Sequence, residues 1–176
     1  MTDALLQDLL EHVRGRYYGK YRGVVVDVDA ATMRVKASVP AVLGGVTSGW
    51  AAPCVPYAGP QVGFLMLPDV GSGVWIEFEG GDVSFPIWTG CYWNEPPQSI
   101  PLAARQAPPG VAVVTVETPT GGLSICDTPV GAFGAVCLRS GAAQIALTSA
   151  GVRIEAPSVS VITSQFSVNG ASLVVT

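Results

Sequence analysis

Residues 118–176 form a 59-residue stretch with only four charged side chains, Asp127, Arg139, Arg153 and Glu155. Within it, and just before it, short apolar runs recur at 111–117, 123–126, 135–139, 144–147, 152–155, 159–162 and 173–175, separated by Gly, Ser, Thr or Pro. Runs of this length read as short strands. Short strands expose backbone edges, and so little chain cannot enclose a core by itself. The expectation is that this segment winds with two identical chains, which closes the edges and buries the alternate Val, Ile and Leu residues along a common axis. Composition points the same way: hydrophobic residues make up 49% of the chain and charged residues 12%, about half the usual charged share of roughly 25%. Much of the surface should therefore lie between copies of the chain.

The first half of the chain reads as a small barrel. From Tyr21 the pattern has period two, with Val24, Val26 and Val28 expected on the apolar face and Val25, Asp27 and Asp29 on the other. The next strand alternates Met33, Val35, Ala37 and Val39 with Arg34, Lys36 and Ser38, joined to the first through the turn Asp29-Ala30-Ala31-Thr32. A Gly/Pro-rich excursion leads to a third strand at 63–67, stopped by Pro68. Val74, Ile76 and Phe78 then alternate with Trp75, Glu77 and Glu79, Gly80-Gly81-Asp82 turns the chain, and 85–92 returns as a fifth strand. Five short antiparallel strands at this spacing suit a closed barrel of the OB type.

The flanks complete an all-β scheme with four parts. Residues 1–16 hold a short amphipathic helix with Leu5, Leu6, Leu9, Leu10 and Val13 on one face, Thr2 as N-cap and Asp3 in the first turn. A helix this short needs a partner surface, which is either its own barrel or a neighbouring subunit or hub protein. Residues 17–93 are the barrel. Residues 94–110, with five prolines, read as an extended, semi-rigid linker. Residues 111–176 are the β-rich tail.

Several function classes fall away on chemistry. A net charge of −4 and a pI near 4.8 disfavour nucleic acid, whose recognition needs clustered Lys and Arg to displace counterions. The start Met1-Thr2-Asp3-Ala4 has neither the basic nor the apolar region of a signal peptide, so the chain is expected to be made and kept in the cytoplasm unless a dedicated machine exports it. Cys54, Cys91, Cys126 and Cys137 lack Cys-x-x-Cys spacing and read as buried free thiols rather than zinc ligands or a disulfide. His12, the only histidine, reads as a surface or packing residue. Glu77 with Glu79, and Asp27 with Asp29, form possible carboxylate pairs, but as alternate positions on half-buried strands they read as solvated faces. Trp75, Trp88, Tyr92 and Trp93 are candidates for a stacking platform. With Arg34 and Lys36 as the only basic strand face, burial against another subunit is the better account. No catalytic, cofactor or metal residue is expected.

Taken in order, Tyr21-Arg22-Gly23-Val24-Val25, Arg34-Val35-Lys36-Ala37-Ser38-Val39-Pro40, Ser48-Gly49-Trp50-Ala51, the run from Pro68-Asp69-Val70-Gly71-Ser72-Gly73 to Asp82, and Pro86-Ile87-Trp88-Thr89-Gly90-Cys91-Tyr92-Trp93 resemble the OB-fold domain of phage baseplate spike proteins. That family includes baseplate assembly protein V and the VgrG proteins of type VI secretion, and the likeness spans roughly residues 17–93. More loosely, Thr120-Gly121-Gly122-Leu123-Ser124-Ile125 and Thr148-Ser149-Ala150-Gly151-Val152-Arg153-Ile154 look like rungs of the family's intertwined trimeric β-helix. The resemblance implies a structural, non-enzymatic homotrimeric spike of a contractile phage tail or tail-like particle. The linker leaves no room for the lysozyme-like domain of some relatives. The short stretch before the barrel implies a separate hub protein and inner tube on that side. Without the His-x-His iron site of some short spikes, a separate PAAR-like tip protein is implied at the other end. The alternative is an OB module that binds an oligosaccharide or protein, its β tail serving only to oligomerise. An enzyme acting on cell walls is the third reading.

Overall fold

The computed structural model describes residues 2–94, 100–127 and 135–164, and the chain divides into two compact units, residues 1–99 and 100–176. In the first, helix α1 spans Thr2–Arg14, followed by strands β1 (Tyr21–Asp29) and β2 (Arg34–Ser38), a helical turn α2 (Pro40–Leu43), and β3 (Ala52–Pro53). A hairpin of β4 (Tyr57–Gly59) and β5 (Val62–Phe64) precedes β6 (Gly73–Phe78), a 3-10 turn at Glu79–Gly81, and β7 (Pro86–Tyr92).

The sheet order is β2-β1-β6-β7-β3. Val35 and Ala51 close it into a ring by bridging β2 to the residue before β3, the Ala51 amide donating to the Val35 carbonyl at 2.8 Å. A ring of five strands cannot alternate direction all the way round, so one neighbouring pair must run parallel. That pair is β3 with β7, which corrects the expectation of five antiparallel strands. The order, the closure and the single parallel seam make an OB-like curled sheet.

The core is Val25, Val35, Ala37, Val39, Ala51, Val74, Ile76, Phe78 and Trp88, with Val28 and others packed against it. On β2 and β6 the inward residues are those their alternation predicts. On β1 they are not: Val25 is 1% exposed, while Val24 and Val26 are exposed. The cause is a bulge, since Val25 pairs with Ala37 but Asp27 with Lys36, leaving Val26 as the extra residue. The bulge re-aims the strand, so Gly23 and Val25 point inward before it and Val28 after it. A run of three valines carries no mark of that switch.

The turns are held by carboxylates. Asp29 accepts from the Ala31 amide at 3.0 Å and the Thr32 hydroxyl at 2.5 Å, and the Thr32 bond, then the Ala31 bond, holds its carboxyl below the ordinary value. Asp82 accepts from the Ser84 amide at 3.0 Å and pairs with Arg16 at 3.2 Å. Its carboxyl is also lowered, chiefly by the Ser84 amide. Gly80 and Gly81 turn the chain at φ 57° and 77°. The Gly81 carbonyl accepts from the Tyr17 amide at 2.8 Å.

Two expectations are revised in this unit. The third strand at 63–67 is the shorter β5, paired with β4. Cys54 and Cys91 are exposed, and only Cys126 and Cys137 are buried, all four being free thiols. Cys54 lies just past β3, and a register shift on β7 near Gly90 (φ 148°) changes which way its last residues face. The N-cap side chains proposed for α1 lie outside the described residues, as does the His12 side chain.

The second unit starts with α3 (Leu102–Gln106), inside the segment expected to be an extended linker. Pro101 opens it, and the Arg105 amide donates to the Pro101 carbonyl at 3.0 Å. Strands β8 (Val113–Glu117), β9 (Gly121–Cys126), β10 (Val136–Ser140), β11 (Ala143–Thr148) and β12 (Gly151–Glu155) follow as an antiparallel meander. Each pairs with its neighbour in sequence, and the turn between β10 and β11 holds Gly141 at φ 56°. Residues 159–162, expected to be a strand, form none. The strand expected at 173–175 lies outside the described residues.

Two predictions follow from the barrel. Ile76 is fully buried, so Ile76→Ala should cost about 2–5 kcal/mol in denaturant unfolding of the barrel, whereas Val46→Ala, at a 68% exposed site, should change it by less than about 0.5 kcal/mol. Asp29 and Asp82 have lowered folded values, so their contribution is complete above the unfolded aspartate value of about 3.9 and is lost as pH falls through the folded ones. Thermal melts should decline below about pH 4, and Asp29→Asn should weaken that dependence.

Candidate functional site: an uncovered apolar face

In antiparallel strands, directly paired residues point to the same side of the sheet. Tracing the pairs from β8 to β12 gives one row of Val114, Ile125, Val136, Leu147 and Val152, and a second of Val116, Leu123, Leu138, Ile145 and Ile154. Both rows lie on one face, ten aliphatic side chains with no polar one among them. Nine of the ten are 39% to 68% exposed, and Val136 is half-buried. Burying a side chain of this kind stabilises by about 1.5–3 kcal/mol, so covering the face offers on the order of 10 kcal/mol before association costs.

The opposite face has the opposite chemistry. Its rows are Thr115, Ser124, Cys137, Ala146 and Arg153, then Glu117, Gly122, Arg139, Gln144 and Glu155. Gln144 donates to Glu155, Arg153 pairs with Glu155, and the Thr115 hydroxyl donates to Glu117 at 3.0 Å. The small residues Ser124, Cys137 and Ala146 are at most 5% exposed, as expected where long polar side chains lay their stems over short neighbours. Among the described residues, the Ser124 hydroxyl has no hydrogen-bond partner. The wet face is therefore the screened one and the dry face the open one.

Helix α1 repeats the pattern on a smaller scale, with Leu5, Leu6, Leu9, Leu10 and Val13 all 46% to 75% exposed.

The barrel does not gather its candidate chemistry into a site. Glu77 pairs with Lys20, and Glu79 lies in the following 3-10 turn. Asp27 pairs with Lys36 at 3.5 Å, and Asp29 holds its turn. A general acid needs a raised value, and the two carboxyls with resolved shifts are lowered. Among the described residues, no group of three or more His, Cys, Asp or Glu is placed to hold a metal.

The four aromatics separate. Trp88 is buried and donates to the Met33 carbonyl at 3.3 Å. Trp75 and Tyr92 meet at a 49° tilt with centroids 5.2 Å apart, with the Arg22 guanidinium 5.6 and 5.3 Å from their centres. Trp93 is exposed. Of the basic pair, Lys36 lies 4.4 Å from the Trp50 ring centre and Arg34 is exposed.

Sequence reading anticipated alternate aliphatics in the tail but missed the continuity of the two rows, which depends on strand register. It also missed β4 and its pairing with β5, whose signal was Gly59-Pro60 between Tyr57 and Phe64.

Among known families, the Type VI secretion system/phage-baseplate injector OB domain matches residues 21–93. No curated protein matches the chain. The matched span begins at the first residue of β1 and ends one residue beyond β7, so it is the five-stranded ring with its hairpin. Residues 21–93 are thus similar to the injector OB domain of type VI secretion systems and phage baseplates.

Proposed function

We propose that the chain is a non-enzymatic structural spike of a contractile phage-tail-like baseplate, working as a homotrimer whose barrel faces a hub and whose tail forms the needle. The observation that carries this reading is the ten-residue aliphatic face of β8–β12, joined in one chain to an injector-family barrel. Three five-stranded sheets, each about 24 Å wide at the usual strand spacing, enclose a triangular prism whose axis lies roughly 7 Å from each sheet. Sheets pack about 10 Å apart, so aliphatic side chains suffice to fill such a space. The free edges at β8 and β12 are then available to pair between copies, which leads toward the intertwined trimeric β-helix expected from sequence.

The division of labour follows. The apolar stripe of α1 docks on a separate hub protein at the inner tube, a helix-in-groove contact. The needle's far end receives a separate PAAR-like tip. No helix among the described residues is long and apolar enough to cross a membrane. Assembly in the bacterial cytoplasm into a tail or tail-like particle fits this chemistry. No nucleic acid takes part, and the function resides in stiffness and shape.

A second reading draws on Lys36 beside Trp50, near β2 and β3, where OB barrels take oligonucleotides and oligosaccharides. It makes the barrel a sugar- or protein-binding module. Titration with cell-wall oligosaccharides separates the two, because the spike binds none.

Leu138→Asp places a charge in the middle of the dry face, while Arg139→Ala changes the wet face of the same strand. Sedimentation velocity should show Leu138→Asp shifting from three chains to one at micromolar concentration, with Arg139→Ala remaining trimeric. Equal behaviour of the two variants contradicts the proposal, and a stable pair of chains in the parent makes the tail a two-sheet sandwich instead.

A further inference from the structure

The β4–β5 hairpin is an arm fixed at its roots and bare along its length. Val55 and Leu67 pack against the barrel core, and the Cys54 amide donates to the Trp88 carbonyl at 2.9 Å. Between those roots, residues 56–66 are all exposed. Tyr57 pairs with Phe64 and Gly59 with Val62, so Tyr57, Phe64 and Val62 share one face at 50% to 60% exposure. The other face is flat, Ala58 opposite Gly63. Its tight turn holds Gln61 at φ 62°, a conformation unfavourable for a residue with a Cβ. A lone two-stranded hairpin is at best marginal in water, and this one also exposes two aromatic rings.

Residues 54–67 carry no charge, and the barrel's outer wall carries an aliphatic stripe bordered by the exposed Arg22, Asp27 and Asp69. The bulge of β1 leaves Val24 and Val26 outside, and reciprocal backbone bonds of Val25 with Ser72 (2.9 Å) and Gly71 (2.8 Å) bring Val70 beside them. Val24, Val26 and Val70 are 37%, 42% and 64% exposed. Copies gathered through the β8–β12 face carry their barrels at high local concentration, so a wall of this kind belongs to the surface most available to the arm. Arm and wall are different surfaces, and such a contact closes in a cyclic ring.

We propose that the β4–β5 hairpin of one copy lies, Tyr57–Phe64 face down, on the Val24–Val26–Val70 wall of a second copy's barrel. The contact locks the barrels to each other independently of the tail. This inference rests on the homotrimer reading.

The full chain with p-benzoylphenylalanine in place of Phe64 tests it, after light scattering has established its mass. Irradiation should give covalent multimers on a denaturing gel, with the adduct mapped by mass spectrometry to residues 22–28 or 68–72. The same probe in place of Tyr57, on the same face, should give the same adduct. A trimeric mass without covalent multimers, or with adducts only elsewhere, overturns the arm and leaves the spike standing. A covalent adduct to a co-expressed hub protein in place of the second copy also overturns it. A single-chain mass overturns both the arm and the trimer on which it rests.

Discussion

The structure turns on the dry face of β8–β12. An aliphatic surface ten residues in extent, laid in two unbroken rows, is costly facing water, and nine of its ten side chains are exposed. The charged groups of the sheet are all on the other side, where Ser124, Cys137 and Ala146 are screened. Hydrophobic burial is non-directional, but the rows fix direction: what covers them must be flat, apolar and parallel to the sheet. A second copy of the same sheet meets those terms.

The barrel supplies what the tail lacks. Its nine-residue core is closed within the chain, its ring is complete, and its turns are held by Asp29 and Asp82 without help from outside. It is the self-sufficient part, and it is the part that matches a known family. The outer wall is less finished. The β1 bulge leaves valines in water, and the hairpin stands clear of the barrel with its aromatic face open. Both features are costly for a solitary barrel and useful for a barrel that lives among others.

Sequence alone reveals much of this where the alternation is clean. On β2 and β6, each inward residue is apolar and most outward ones are polar, so side-chain type reports the face. In β1 it does not, because Val24, Val25 and Val26 are chemically alike and only pairing with β2 reveals the bulge. The parallel seam of β3 with β7 is also invisible locally, since β3 is two residues long and its partner lies over thirty residues away. Helix α3 was hidden by the prolines around it, although Pro101 is suited to open a helix and Ala103-Ala104 to continue it. For the candidate surface, the aliphatic residues were legible as short runs. Their union into two rows was not, because register across four pairings sets it, and composition carries no register.

The central claim is that the dry face is buried between three copies of the chain. The direct measurement is the solution mass of the full-length protein by light scattering over a hundredfold dilution. The account predicts three times 18.1 kDa, unchanged on dilution; a mass of one chain throughout, with the protein fully folded, would contradict it.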